Sequence, residues 1–460
     1  MADTKGFPSK TNRLWWPAFA EIIELPSAQM TYAESIRFLY SLRLFGAKFG
    51  LENTLQLAQL AGSPQERLRF IHVAGTNGKG STCAMLESIY RAAGLRVGLF
   101  TSPHLVSFRE RIQVNRQCIG EADVVRLVAE MQPWLASFPM EHHPTFFEVV
   151  TVMALLYFAE QECDLVVWET GLGGRLDATN IVTPLASVIT NIALDHQQWL
   201  GETIPQIAAE KAGIIKPGVP VVTAVDDPRA LAVIETTAKR LDSRLTIVKT
   251  DHAARHALHV PLSGEHQRAN AALAVATVAQ LQSQIPVGDD AIRSGMETVC
   301  WPGRMQTISR PSGQRLILDG AHNVAGARAL RSALERQLSG ARCTLVLGVL
   351  GDKEWQQVCE VLAPVADKIM TVPVASERSA DVRALADACR AVTSTADITA
   401  CSSLAEALER CSADPIVVIA GSLYLVGDAL ALLGVLPSTP DEQALNDWTG
   451  IKPSNPPHQR

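Results

Sequence analysis

Between Gly75 and Ser81 the chain reads GTNGKGS. Gly75, Gly78 and Gly80 lack a Cβ, so the backbone there can take positive φ, approach a ligand closely and aim N–H groups at an anion. Lys79 adds a point charge suited to β- and γ-phosphates, and the Ser81 hydroxyl can meet a phosphate or a metal ion. Thr76 and Asn77 complete the loop. The spacing departs from the usual Walker pattern, because Gly80 separates Lys79 from Ser81 and only Thr76 and Asn77 lie between Gly75 and Gly78. A lysine beside three glycines has little purpose in a bare turn, so the stretch reads as a nucleotide triphosphate loop.

Other residues carry chemistry only in combination. Ser102, in LFTSPHLVSFRERI, ends the next strand and would sit beside the loop, yet such a serine alone is more often an ordinary turn or cap, here stiffened by Pro103. Glu148, in TFFEVVTVMALLYF, opens an apolar helix, where a carboxylate either caps the dipole or, facing a triphosphate, holds Mg2+. In VVWETGLGGRLDATN a buried strand ends at Glu169 and turns through Gly171, Gly173 and Gly174 into Arg175, Asp177, Thr179 and Asn180. That is a tight connection or a site. Asp195 and His196 follow a further strand, although a lone histidine is more often structural than a ligand, and Lys211 lies on a helix after Glu210. Later, LDGAHN puts Asp319, His322 and Asn323 at a strand end, and WPGRMQ supplies Arg304.

The elements that must position these residues alternate from about Leu68 onward. Short β-rich runs (LRFIHVAG, LRVGLFTS, CDLVVWET, LASVITNI, VPVVTAV) are apolar on both faces, as a parallel sheet covered by helices requires. The stretch STCAMLESIYRAAG predicts a helix that starts at a Ser or Thr cap and stops at Gly94. After GMETVCWPGRMQTISRPSG, whose Pro and Gly content predicts a hinge, the alternation resumes with QRLILDGAHN, ARCTLVLGVL, DKIMTVPV and PIVVIAGS as strands. The expected division is residues 1–298, 299–436 and a polar, Pro-rich tail over 437–460.

Composition sets the class. With 47% hydrophobic and 19% charged residues in 460, the chain has ample core for two or three domains and is not a disordered polymer. A net charge of −6 argues against adhesion to nucleic acid or anionic membrane, which needs clustered Lys and Arg. The nine cysteines form no C-x-x-C pair and fall mostly in apolar segments, which predicts buried thiols in a reducing cytoplasm. The N-terminal residues lack the apolar run of a secretory leader. The segment PIVVIAGSLYLVGDALALLGVL, interrupted by Asp428 and glycines, reads as a buried strand followed by a helix rather than a membrane span.

Taken together, GTNGKGS, TSPHL…FRERI, FFE, ETGLGGRLDATN, LDHQ, EKAGI, HQRANAALA, WPGRMQ and LDGAHN, in this order between about Tyr32 and Val435, resemble the folylpolyglutamate synthase and dihydrofolate synthase family of the Mur ligase superfamily. The resemblance implies an α/β fold with a larger P-loop ATP-binding domain on a mostly parallel sheet, a smaller Rossmann-like C-terminal domain, and a site in the cleft between them. It implies ATP on Gly75 to Ser81 with Lys79 on the phosphates, and Asn270, Arg304 and Asp319 also reaching ATP. Ser102, Glu148 and His196 match the family's Mg2+ ligands beside Ser81, and Lys211 matches its carbamylated lysine. His322 falls on the amino-acid side, and KFGLEN, with Phe49, Gly50 and Leu51, resembles the pterin-side loop, with Phe147 also assigned to the substrate pocket.

The implied reaction is transfer of the ATP γ-phosphoryl group to a carboxylate, followed by attack of the L-glutamate amine on the acyl phosphate. The acceptor is dihydropteroate, the γ-carboxyl of a reduced folate, or both, and the bifunctional form is expected of a cytoplasmic monomer. Three alternatives stand beside it: a folylpolyglutamate synthase only, a Mur-type peptidoglycan ligase, and a nucleotide-binding module without catalysis. The second is disfavoured by the short segment before the loop, and the third by the number of separate polar clusters.

Overall fold

A computed structural model of the chain describes residues 30–46, 50–249, 259–437 and Glu442. The leader reading, Phe49 and most of the Pro-rich tail lie outside the described residues.

Fourteen strands among the described residues form two sheets. The first contains β1 (Phe70–Ala74), β2 (Val97–Phe100), β3 (Ile112–Val114), β4 (Gln117–Cys118), β5 (Leu165–Glu169), β6 (Ala186–Ile189), β7 (Val221–Thr223) and β8 (Leu245–Ile247), in the order β4-β3-β2-β5-β1-β6-β7-β8. All its pairings are parallel except β2 with β3 and β3 with β4. The second contains β9 (Gln306–Ser309), β10 (Arg315–Asp319), β11 (Thr344–Leu347), β12 (Lys368–Thr371), β13 (Asp397–Ala400) and β14 (Ile416–Ala420), in the order β13-β12-β11-β14-β10-β9, with β9 alone antiparallel. The fold is α/β with mostly parallel sheets, as expected. Strands β3, β4, β8, β9 and β13 are additions to the sequence reading, and each is short or partly exposed, so none shows a doubly apolar run.

The alternation of side chains along β1 explains how the first sheet is covered. Ile71 and Val73 face one layer with Met85, Leu86 and Ile89 of the helix Lys79–Ala92 and Leu273 of the helix Glu265–Gln280. Phe70 faces the other, with Trp168 and the helix Phe146–Glu160. Lys79–Ala92 also meets Asp289–Glu297 at close range, because a Cβ on Gly295 would stand 2.5 Å from the Ile89 Cα. That helix has Gly78 as its N-cap rather than the expected Ser or Thr, since positive φ is what the loop needs there.

Chain order places β1 at a topological switch point. The connection from β1 to β2 passes over β5 to one side, while β6 and β7 continue on the other, so the carboxyl end of β1 opens on a crevice. PIVVIAGSLYLVGDALALL forms β14 and the helix Leu423–Leu432, and no described helix is long and apolar enough to cross a membrane. Seven cysteines are buried, Cys118 is half-buried and Cys300 is exposed, which corrects the expectation for Cys300.

Candidate active site

At the carboxyl end of β1 the loop is shaped by its neighbour β6. Thr76 donates its N–H to Asn191 O at 2.9 Å, Asn77 donates its N–H to Asn191 Oδ1 at 2.7 Å, and Thr190 Oγ1 donates to Asn77 O at 2.6 Å. The Thr76 hydroxyl is further tied to both backbone groups of Ala193. Gly78 has φ +84°, and Asn270 packs directly on it; a Cβ would stand 2.5 Å from Asn270 Oδ1. Gly80 lies under the Trp301 indole. Lys79 Nζ donates to Gly75 O at 3.1 Å and Thr76 O at 3.3 Å, and Ser81 is buried in the first turn of the helix.

Two further groups converge on this loop. Lys211, buried on the helix Ile204–Ala212, donates to Gly75 O at 2.9 Å. Burial and, after it, the Lys79 charge push its ammonium down to about 7, so a free amine is accessible near neutral pH. Glu169, the last residue of β5, accepts the Ser102 N–H at 3.0 Å. Burial raises its carboxyl to about 7 against the opposing pull of Lys79, the Ser102 bond, Arg304 and Arg111.

The Gly-rich turn after β5 acts as a brace. The Asp177 carboxylate accepts the N–H of Leu172 at 2.7 Å and of Thr179 at 3.0 Å, Asn180 Nδ2 donates to Arg175 O and Gly213 O, and Arg175 pairs with Glu210 at the surface. Gly174 lies against the backbone of Glu210 and Lys211. The cluster therefore fixes the helix that carries Lys211.

Opposite the loop stand residues from the second sheet. Asn323, N-cap of the helix Val324–Leu338, exchanges amide hydrogen bonds with Asn77 at 3.0 and 3.2 Å and donates to Asp195 Oδ2 at 2.9 Å. Lys353, beyond β11, reaches Asp195 at 2.6 Å and His196 Nε2 at 3.1 Å. His322 Nε2 is 3.7 Å from Asp195. Burial alone would raise the Asp195 carboxyl, but its bond to His322 and the Lys353 charge hold it well below the usual carboxylate range. Burial and the Lys353 charge push His196 down to about 3, so its imidazole is neutral and its Nε2 accepts from the Lys353 ammonium. Asp195, His196, Asn323, Asp352, Lys353 and Glu354 line a cavity of about 120 Å³. Asp319 accepts the N–H of Met305 at 2.9 Å and of Ala321 at 2.9 Å, shaping the turn that carries Arg304 and His322.

Other expected residues have local partners of their own. Glu148 closes a capping box with Thr145, accepting its N–H at 2.7 Å, and accepts from Thr54 at 3.4 Å. Phe147 covers Gly171 in the turn after β5, and Gly50 and Leu51 precede the helix Glu52–Leu60, which carries Thr54. Lys353 was missed by the sequence reading, and its one signal was the polar GDKE three residues beyond the end of β11. Glu169 was noticed only as a strand end, although its neighbour in register is Val73 of the loop-bearing strand. Among the described residues no three His, Cys, Asp or Glu side chains form a group that could hold a metal ion.

Residues 73–253 match the Mur ligase middle domain family and residues 303–423 the Mur ligase glutamate ligase domain family. The chain is 36% identical over 422 residues to a dihydrofolate synthase/folylpolyglutamate synthase of Bacillus subtilis, covering 86% of this chain and 98% of that protein. Among solved structures it is similar to Escherichia coli FolC in complex with DHPP and ADP, at 31% identity and a TM-score of 0.79, over 89% of this chain and 99% of that one. A Mycobacterium tuberculosis folylpolyglutamate synthase complexed with ADP and AMPPCP aligns at 34% identity and a TM-score of 0.77, over 84% and 95% of the two chains.

Proposed function

The chain belongs to the dihydrofolate synthase/folylpolyglutamate synthase family and is an ATP-dependent ligase, and from that premise we propose that it joins L-glutamate both to dihydropteroate and to the γ-carboxyl of reduced folates. The double activity is supported by the paired name of the Bacillus subtilis relative, of which this chain covers 98%. The observation that carries the reading is convergence: the Gly75–Ser81 loop, Lys211 and Glu169 from one sheet meet Asn323, His322 and Lys353 from the other across one crevice. Residues 1–298 form the ATP-binding domain, 299–436 the glutamate-ligase domain and 437–460 a tail, in a cytoplasmic monomer.

A carboxylate resists an amine because it is already negative and its oxygen leaves poorly. The N–H groups of Gly75–Ser81 hold the phosphates, and Lys79 releases its two loop carbonyls to meet the transferring γ-phosphoryl group. Asn270, Arg304 and Asp319 bound the same nucleotide from the far side of the loop. Ser81, Ser102 and neutral His196 fit Mg2+, and we assign the carboxylate of that set to Glu169, because Glu148 is committed to its helix cap. Mg2+, when bound, offsets phosphate charge and orients the γ-phosphoryl group. Lys211, held near neutrality, attacks CO2 through its amine nitrogen and loses a proton, leaving a carbamate anion beside the loop.

Once the acyl phosphate has formed, the glutamate amine attacks its carbonyl carbon and phosphate leaves with the electron pair of the broken C–O bond. His322 and Lys353 stand where the incoming amino acid must enter from the second sheet, and closure of the crevice excludes water that would hydrolyse the acyl phosphate. Phe147 and the segment of Gly50 and Leu51 bound the pteridine side. Purified protein assayed for glutamate-dependent phosphate release with dihydropteroate and with tetrahydrofolate in parallel tests the reading. Turnover with both is expected; turnover with tetrahydrofolate alone reduces it to polyglutamylation, and turnover with neither refutes it.

A further inference from the structure

The segment that leaves β2 at Ser102 belongs to both halves of the molecule. Its first residue bonds Glu169, as above, but Val106 is fully buried in the second sheet's core with Leu316, Leu318, Leu425 and Val426. Leu105 packs on Gly303 and against the backbone of Gly427 in the helix Leu423–Leu432, where only a glycine leaves room. The Glu110 carboxylate gathers the N–H groups of Leu105, Val106 and Ser107 at 2.8, 2.9 and 2.8 Å, which makes the turn rigid. Displacing the second sheet therefore pulls on Ser102.

Glu442 closes this arrangement from a point in the chain beyond the second sheet. It is buried, and its carboxylate accepts the Tyr32 hydroxyl and the Phe108 N–H, the latter at 3.2 Å. Its backbone carbonyl lies 3.1 Å from His104 Nε2. Arg111 donates its Nε–H to His104 Nδ1 at 2.8 Å, so that nitrogen is the acceptor and Nε2 carries the proton given to Glu442. Arg111 in turn is among the charges felt by Glu169. A hydrogen-bonded path runs from Glu442 through His104 to Arg111. Burying a carboxylate is costly unless its oxygens are satisfied, and here one accepts from Tyr32 on the helix Tyr32–Ser41 and the other from Phe108 at the end of the segment.

We propose that Glu442 is a positioning residue for phosphoryl transfer, clamping the Ser102–Phe108 segment between the two sheets so that Ser102 and Glu169 keep their relative placement. The inference rests on the assignment of Ser102 and Glu169 to the Mg2+ side of the site. It is tested in the full chain with Glu442→Ala, Glu442→Gln and Ser102→Ala, reading the Mg2+ concentration for half-maximal turnover, KM for glutamate, and amide hydrogen exchange over residues 104–108 without metal. Glu442→Ala is expected to raise the Mg2+ requirement about tenfold, the scale of supporting residues around metal ligands, with KM for glutamate within about twofold. It also speeds exchange over residues 104–108. Glu442→Gln, whose amide oxygen still accepts the Phe108 N–H, restores both readouts. A Glu442→Ala protein that melts earlier but keeps wild-type Mg2+ requirement and exchange overturns the proposal and leaves Glu442 a simple tether. If Ser102→Ala leaves the Mg2+ requirement unchanged, the metal assignment falls instead, and exchange over 104–108 still decides whether Glu442 orders the segment.

Discussion

The Lys353 ammonium lies 2.6 Å from the Asp195 carboxylate, and both side chains are under one-tenth exposed, at 8% and 7%. One residue follows β11 in the second sheet and the other follows β6 in the first, so a buried ion pair spans the crevice directly beside His196.

Breaking that pair from one side leaves a buried charge uncompensated. Lys353→Met is expected to destabilise the protein by about 3 kcal/mol, and the double variant with Asp195→Asn to cost less than the sum of the two singles. Urea unfolding of the four proteins in the cycle measures this, and strict additivity would remove the pair as a stabilising contact.

Lys79 makes only two hydrogen bonds to its own loop, at 3.1 and 3.3 Å, so its removal does little to the fold. Lys79→Ala should lose at least about a hundredfold in ATP turnover, the scale of one electrostatic stabiliser in a transition state. Circular dichroism should stay unchanged, and turnover near the wild-type rate contradicts the phosphate role.

Lys211→Ala should likewise abolish most turnover, since the proposed function makes the amine buried against Gly75 O the carbamate precursor. Added formate or acetate is expected to restore part of the rate by supplying the missing anion. Full activity without rescue takes Lys211 out of the site.

His72 lies in the middle of β1, fully buried, with Nε2 2.9 Å from Thr179 Oγ1. Burial, with a smaller push from Lys216, lowers its pKa to about 3. The unfolded chain takes up a proton near pH 6.5 while the folded one does not, so this contribution is complete above that value and falls away as pH drops toward 3. Between pH 6.5 and 5 the loss is about 2 kcal/mol. His72→Gln should flatten that part of the stability profile in urea unfolding, and an unchanged slope means the imidazole is protonated inside the fold.

The sequence by itself determined the features that short-range physics dictates. Doubly apolar runs had to become covered parallel strands, which is why β1, β5, β6, β10, β11 and β14 were legible, and the glycines around Lys79 had to become a tight strand-to-helix turn because glycine takes Gly78's φ of +84° at no steric cost. Tertiary structure alone decided how residues far apart in the chain share the site. Glu148 and Glu169 are both carboxylates at the edge of an apolar element, and nothing local tells them apart; one turned back on its own helix N-terminus while strand order carried the other beside Ser102. Lys353 and Glu442 could not be placed in the sequence for the same reason, because their partners at Asp195 and Phe108 lie far away in the chain and are brought to them only by tertiary packing.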